Sequence, residues 1–339
     1  MNAPACSIVL PVRDAAATLP ACLASIRRQS IGDYEVVAVD DGSVDGSLEV
    51  LTFAARSDSR VRIVTTARLG LVPALNRGLR EARSDIVVRM DADDLMRRDR
   101  LARQLTWLAD RPSCTIVGSH VRLFPRRTLQ AGYRAYEAWL NGMRDEAALR
   151  RSIYVEAPLA HPTIAFRKSA ILAIGGYRDG AFPEDYDLYL RCYRAGLGFG
   201  VVPRRLLAWR DHPDRTSRLS KRYSRAGFNQ LRVAALTTDP AITGRDIIVW
   251  GAGKHARRFV RACVEAGLSF SAWIDIAPAK IGQELLGRPI LDVDGALARR
   301  RRHSLILVAV TNHGARQLIH ARLSAAGLAW GQDFLDVGT

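Results

Sequence analysis

Short β-branched runs stand at both ends of the first forty residues, SIVLPV at 7–12 and EVVAV at 35–39, and between them Leu19, Leu23 and Ile26 recur at helical spacing. That pattern predicts a βαβ unit. A strand over 62–65, a helix over 72–82 and a strand over 86–90, ending in acidic residues, continue it. Strands alternating with helices argue for a parallel sheet with its ligand at the strands' carboxyl ends. The polar clusters after Val39 and Met90 lie there. From about Pro112 the pattern is less regular. Residues 216–236 are predicted as one amphipathic helix, with Arg218, Lys221, Arg222 and Arg225 on a basic face and Leu219, Phe228 and Leu231 among its apolar positions. It would pack on the core or lie against a membrane surface. TTDPAITGR at 237–245 has the composition of a linker. A second βαβ pattern follows: strand 246–250, a glycine turn, a helix to about 267, strand 270–275 and a later strand over 305–310. The expected domains are therefore 1–236 and 246–339, joined at 237–245.

At 339 residues the chain has room for two cores, and 48% hydrophobic with 25% charged residues is ordinary for a globular protein. The uninterrupted apolar stretches are strand-sized, far short of the roughly 20 residues that span a bilayer. The start lacks a basic n-region and breaks its apolar run at Pro11, so a cytoplasmic location is expected. Five scattered cysteines, with no C-x-x-C pair, argue for reduced, buried thiols over zinc or redox chemistry. The net charge of +16 comes almost wholly from arginine, with lysine only at 168, 221, 254 and 280. Without an RNA-binding or helix-turn-helix signature this argues against nucleic acid and for an anionic substrate or membrane surface.

Asp40-Asp41-Gly42-Ser43 follows a buried strand directly, so its carboxylates project from the carboxyl end, and Gly42 permits a tight turn. Such carboxylates can accept hydrogen bonds from a base or ribose, or simply cap a loop; Asp45 and Ser47 are candidate caps of the next helix. Asp91-Ala92-Asp93-Asp94 places three carboxylates in four positions, where they repel unless a cation neutralises them. A hard divalent ion held by one or two carboxylates plus substrate phosphates accounts for that arrangement.

With these two motifs a resemblance becomes specific. The ordered series SIVLPVRDAAATLPACLASI, EVVAVDDGSVDGS, LGLVPALNRGLREARSDIVVRMDADD, HPTIAFRKSA, GGYRD, PEDYDLYLR and WRDHPDRTS is similar to the inverting family-2 glycosyltransferases of GT-A fold, over roughly residues 5–220. The resemblance implies an α/β fold, a Rossmann-like mixed sheet of the nucleotide-diphospho-sugar transferase type. It also implies a nucleotide-sugar donor, uridine-linked in particular, an acceptor that is a saccharide or is lipid-linked, and Mn²⁺ or Mg²⁺. Residue by residue, it makes Pro11 and Asp41 nucleotide-base contacts, Asp91 a contact near the ribose and donor sugar, and Asp93 the carboxylate on the metal. His212 matches a histidine that helps hold the metal or diphosphate, with Arg215 and Ser217 as phosphate contacts. Asp185 matches the catalytic base, with Glu184 in a supporting or acceptor-binding role. Asp187 is expected to be structural, and His161 an acceptor-side or packing residue. A positioned carboxylate suits general-base removal of the acceptor's proton, worth about 10² to 10⁴ in rate. Arg13-Asp14 departs from the family's pattern of an aromatic followed by Asn, which weakens any inference about base and sugar.

In the C-terminal part, Gly251-Ala-Gly253-Lys-His-Ala256 follows a strand and opens a helix, and Asp275 ends the next strand, the context of a Rossmann fingerprint. It resembles the small Rossmann-like modules beside sugar-modifying enzymes, which makes Gly251, Gly253 and Asp275 nucleotide-binding positions. Residues 246–339 are expected to form about one mononucleotide-binding half. The competing readings are a nucleotidyltransferase, against which stands the lack of a Gly-rich, Arg-containing phosphate loop after the first strand, a non-catalytic sugar-nucleotide sensor, and an NAD-dependent oxidoreductase.

Overall fold

The computed structural model describes residues 3–310 and 313–338. Its residues group into two compact units. The first contains the chain through Arg150, Ala157–Gly180 and Asp187–Leu219; the second contains Arg151–Glu156, Ala181–Tyr186 and the chain from Ser220 onward. The division is thus interleaved, where the sequence pattern places a single seam.

In the first unit the strands are β1 (Ser7–Val12), β2 (Glu35–Asp41), β3 (Val61–Thr66), β4 (Ile86–Arg89), β5 (Leu95–Met96), β6 (Cys114–Phe124), β7 (Ala165–Arg167) and β8 (Gly198–Arg210). They form one sheet in the order β3-β2-β1-β4-β7-β6-β8-β5. The first four are parallel, β7 is antiparallel to both neighbours, β6 and β8 are parallel, and β5 returns antiparallel on β8. The sheet is therefore mixed, as the family resemblance implies.

Strand periodicity explains why both faces of this sheet are covered. Ile8, Leu10, Val36 and Ala38 belong to one core with Leu19, Cys22 and Ile26 of the helix Leu19–Arg27. The alternate residues Val37 and Val39 pack instead with Ala74 of the helix Leu71–Glu81. That helix approaches β1 closely because Gly78 has no side chain: a Cβ there would lie 2.4 Å from a Val9 methyl. The strand order reverses between β1 and β4, opening a crevice at their carboxyl ends.

The second unit holds β9 (Asp246–Trp250), β10 (Ala272–Ile274), β11 (Glu284–Leu285), β12 (Arg288–Leu291), β13 (Ser304–Val308) and β14 (Phe334–Asp336), in the order β11-β12-β10-β9-β13-β14. Apart from the β11–β12 hairpin, the pairings are parallel. Numbering its five parallel strands in chain order gives 3-2-1-4-5, the order of a doubly wound sheet. This exceeds the single mononucleotide-binding half expected from the sequence, because β12 and β14 are too short to register as strands by pattern. The helix Lys254–Glu265 buries Ala256, Phe259, Val260 and Cys263.

Segments 151–156 and 181–186 join this unit through specific bonds. Tyr186 donates its hydroxyl to Ile153 O at 2.7 Å, Gly338 N–H bonds Tyr154 O at 2.8 Å, and Arg232 donates to Val155 O at 2.6 Å. Tyr154 donates its hydroxyl to the Asp239 carboxylate.

The single helix expected over 216–236 is broken into a turn at Thr216–Leu219, a 3₁₀ turn at Lys221–Tyr223 and the helix Arg225–Thr237. Two serines break it. Ser220 Oγ accepts from Arg222 N–H, and Ser224 Oγ from Gly227 N–H, each capping the element after it. The expected cap at Asp45 or Ser47 is replaced by Gly46 at φ 89°, and the Asp45 carboxylate accepts from Ala16 N–H and from Ser47. All five cysteines are buried and unbridged. No helix among the described residues is long and apolar enough to cross a membrane.

Candidate active site

The acidic cluster is assembled by the pairing of β5 with β8. Leu95 lies opposite Ala208 and Met96 opposite Leu207, so the residues just before β5 meet those just after Ala208. Arg210 N–H donates to Asp94 Oδ1 at 2.7 Å, its Nε donates to Asp93 O at 2.7 Å, and His212 Nε2 lies 3.1 Å from Asp93 Oδ2. On the other side the buried Arg89, the last residue of β4, forms an ion pair with Asp91.

One carboxylate oxygen from each of Asp91, Asp93 and Asp94 lies within 4.8 Å of the other two. Asp94 is 0% exposed, and its Oδ2 has no hydrogen-bond partner among the described residues. Burial, then the charges of Asp91 and Asp93, push its carboxyl well above the ordinary carboxylate range. Asp93 is raised too, by burial and then by Asp91, with His212 pulling the other way. An orphaned buried oxygen among crowded hard oxygen donors fits a divalent cation of the Mg²⁺ or Mn²⁺ type, which would satisfy that oxygen and offset the repulsion.

Asp41 ends β2, which is separated from β4 by β1, the strand that carries Pro11. Asp41 is 2% exposed, and its carboxylate accepts from Thr66 Oγ1 at 3.0 Å, Leu69 N–H at 2.6 Å and Gly70 N–H at 2.8 Å. The Arg13 guanidinium stands 3.6 Å away, and Arg68 pairs with Asp14 at 3.1 Å. The Arg13-Asp14 departure thus places cations where the sequence pattern offered no assignment. Arg215 lies over the Trp209 ring at 4.3 Å and 3.7 Å from Asp211, and Ser217 is exposed. His161 is buried, bonded to the Tyr177 hydroxyl at 2.9 Å and held well below its ordinary pKa by burial and by Arg89.

The second candidate group is the first turn of the helix Glu184–Arg194. Asp185 is half-buried, and its Oδ1 accepts from Tyr186 N–H at 2.7 Å. Glu184 is buried, with Tyr223 Oη 2.8 Å from both carboxylate oxygens and Arg222 Nη1 3.5 Å from one. Asp187 forms an i,i+4 pair with Arg191 at 2.8 Å. In the C-terminal unit the Asp275 carboxylate accepts from Ala252 N–H at 3.1 Å, Ala277 N–H at 2.9 Å and Lys280 at 2.7 Å. Gly251 adopts φ 112°, and Gly253 is the exposed N-cap of the helix Lys254–Glu265. Arg89, Arg210, Arg222 and Tyr223 were not singled out for these roles by the sequence; the arginines flanking the acidic motif, Arg89 by its position one residue before Met90, carried the only local signal.

A mixed sheet with a parallel half, its strand order reversing between β1 and β4, and an acidic cluster at the carboxyl ends define a nucleotide-diphospho-sugar transferase architecture. Residues 7–175 match Glycosyl transferase family 2. The chain is 32% identical over 196 residues to the PGL/p-HBAD biosynthesis glycosyltransferase of Mycobacterium bovis, spanning 57% of this chain and 71% of that one. It is 28% identical over 215 residues to the amylovoran biosynthesis glycosyltransferase AmsE of Erwinia amylovora, spanning 63% and 76%. The protein belongs to glycosyl transferase family 2.

Solved structures share the fold. S. aureus TarS 1–349 in complex with UDP-GlcNAc aligns with a TM-score of 0.56 at 15% identity, over 69% of this chain and 67% of that one. The chain spans 40% of the longer TarS structure, with a TM-score of 0.55. The mannosyltransferase PcManGT of Pyrobaculum calidifontis, in complex with GDP-Man and Mn²⁺, aligns at 0.50 with 22% identity, over 71% and 63%.

Proposed function

We propose that this protein is an inverting glycosyltransferase that moves one sugar from a nucleoside-diphosphate sugar, uridine-linked, to a hydroxyl of a saccharide or lipid-linked acceptor in cell-surface polysaccharide or glycolipid biosynthesis. The acidic cluster carries the reading: three carboxylates and His212 gathered at the carboxyl ends of a nucleotide-type sheet, with one buried oxygen left unsatisfied. The relatives named for amylovoran and PGL synthesis and the TarS complex with UDP-GlcNAc support the acceptor and donor classes.

In this mechanism Asp93, aided by His212, would hold Mn²⁺ or Mg²⁺, which supplies positive charge against the departing diphosphate. Asp91, oriented by its ion pair with Arg89, addresses the ribose and donor sugar. Pro11 and Asp41 bound the base, and Arg215 and Ser217 address phosphate. Asp185 accepts the acceptor hydroxyl's proton as that oxygen attacks the anomeric carbon from the face opposite the diphosphate. A panel of nucleotide sugars tests the proposal through slow hydrolysis, with and without chelator. Metal-dependent release of nucleoside diphosphate is expected; release of pyrophosphate would instead indicate a nucleotidyltransferase, and binding without turnover a sensor.

The C-terminal unit is read as a Rossmann-like, nucleotide-binding-type domain on its 3-2-1-4-5 order and the Gly251–Gly253 turn. Asp275 is already engaged by Ala252 and Lys280, so a bound ribose would have to share or displace those contacts. The enzyme would work in the cytoplasm, with the exposed Lys221 and Arg225 touching an anionic membrane face. Sedimentation with anionic against neutral vesicles tests that part.

A further inference from the structure

Glu184 is a buried carboxylate beside the proposed base, and its surroundings assign it a task. It is 1% exposed, and the Tyr223 hydroxyl sits 2.8 Å from each of its oxygens, so the donor bridges the whole carboxylate. Arg222 supplies the compensating charge at 3.5 Å. Burial and the neighbouring Glu184 push the Tyr223 phenol upward, which keeps its proton in place as a donor.

The turn that carries these two residues is itself fixed. Ser220 caps it, Ser224 ends it and starts the next helix, and Gly227 lets that helix close on both the turn and the segment before Glu184. A Cβ at Gly227 would lie 2.4 Å from Arg222 O and 2.9 Å from Ala181 O. Successive helical residues point about 100° apart, so fixing Glu184 inward sets the direction of half-buried Asp185. A base misplaced by about 1 Å can lose about 10²-fold in rate, so such a grip has kinetic value.

We propose that Tyr223, seconded by Arg222, is a positioning residue for transfer, acting through the buried Glu184 carboxylate to aim Asp185. This rests on the reading of Asp185 as the proton acceptor. Glu184 is then an anchor and takes no proton.

The test uses the full chain and hydrolysis of the uridine-diphosphate sugar that turns over in the donor panel, water serving as acceptor. Tyr223→Phe should lower kcat about tenfold or more, while the Kd for UDP with Mn²⁺ stays within about twofold. Glu184→Ala, which removes the acceptor of the Tyr223 hydroxyl, should fall as far as Tyr223→Phe. In an Asp185→Asn background, Tyr223→Phe should have almost no further effect, which a merely structural role would not reproduce. If Tyr223→Phe does not fold, Arg222→Lys enters the same cycle. Wild-type kcat in Tyr223→Phe, or an equal effect in both backgrounds, overturns the positioning role. Normal turnover in Asp185→Asn alone instead overturns the assignment of the base, a separate result.

Discussion

Asp41 and Asp94 show how differently two carboxylates at strand ends can be used. Asp41 accepts three hydrogen bonds from the loop 66–70 while nearly excluded from solvent. Asp41→Ala should therefore cost stability as well as donor affinity. The part-buried N–H groups of Leu69 and Gly70 would lose a charged acceptor, so a loss of about 1 to 3 kcal/mol in denaturant unfolding is expected. Unchanged stability would show that the loop finds other acceptors. For Asp94 the sign is opposite. Its folded-state pKa is raised above the ordinary 3.8, so between 3.8 and that raised value the folded chain binds more protons than the unfolded one. Stability of the metal-free protein should fall as pH rises through that window and stay low above it. Asp94→Asn should flatten the dependence and raise the thermal midpoint in chelator at neutral pH; parallel pH curves for both proteins would refute this. The acidic motif was readable because its three carboxylates fall within four positions. Its partner Arg210 was not, because the bond to Asp94 spans 116 residues and exists only through the β5–β8 pairing.

At the scale of elements, propensity and packing give opposite signs at Gly78. In an exposed helix Gly→Ala stabilises by about 1 kcal/mol, but here the new methyl would meet a buried, β-branched Val9 at 2.4 Å. Gly78→Ala should therefore destabilise, read as a lower urea midpoint with an unchanged slope; a higher midpoint would mean the helix can retreat from β1. Ser224→Ala should remove the cap of the helix Arg225–Thr237 and cost about 1 kcal/mol. The strands and helices of the first ninety residues were legible because alternation and 3.6-residue spacing are both strong there. The break at 220–224 was not, since Leu219, Phe228 and Leu231 keep a helix-like rhythm across two serines whose capping depends on local geometry. The short β12 and β14 were hidden for a related reason: three or four residues carry too little pattern.

For the whole molecule, the interleaved units change what a truncation would do. The pattern of the sequence implies that a chain ending near Thr243 retains a complete first core. Yet Arg151–Glu156 and Ala181–Tyr186 group with the chain from Ser220 onward, and Gly338 bonds Tyr154 directly. Ending the chain near Thr243 should leave those segments poorly held, with faster proteolysis at 151–156 and 181–186 and reduced donor hydrolysis. Full activity and unchanged protease resistance would show that the second unit is dispensable to them. The sheet order of the first unit has a further consequence for synthesis on the ribosome. β1 to β4 are complete once residue 89 has emerged, but the next strand in the sheet, β7, begins at Ala165, and β6 waits for β8, which ends at Arg210. During that interval β4 presents an unpaired, largely buried-type edge, the kind that recruits other chains. Translation pauses or chaperone contact between those two points should then decide yield, and nascent chains arrested near residue 150 should aggregate more readily than chains released beyond residue 210.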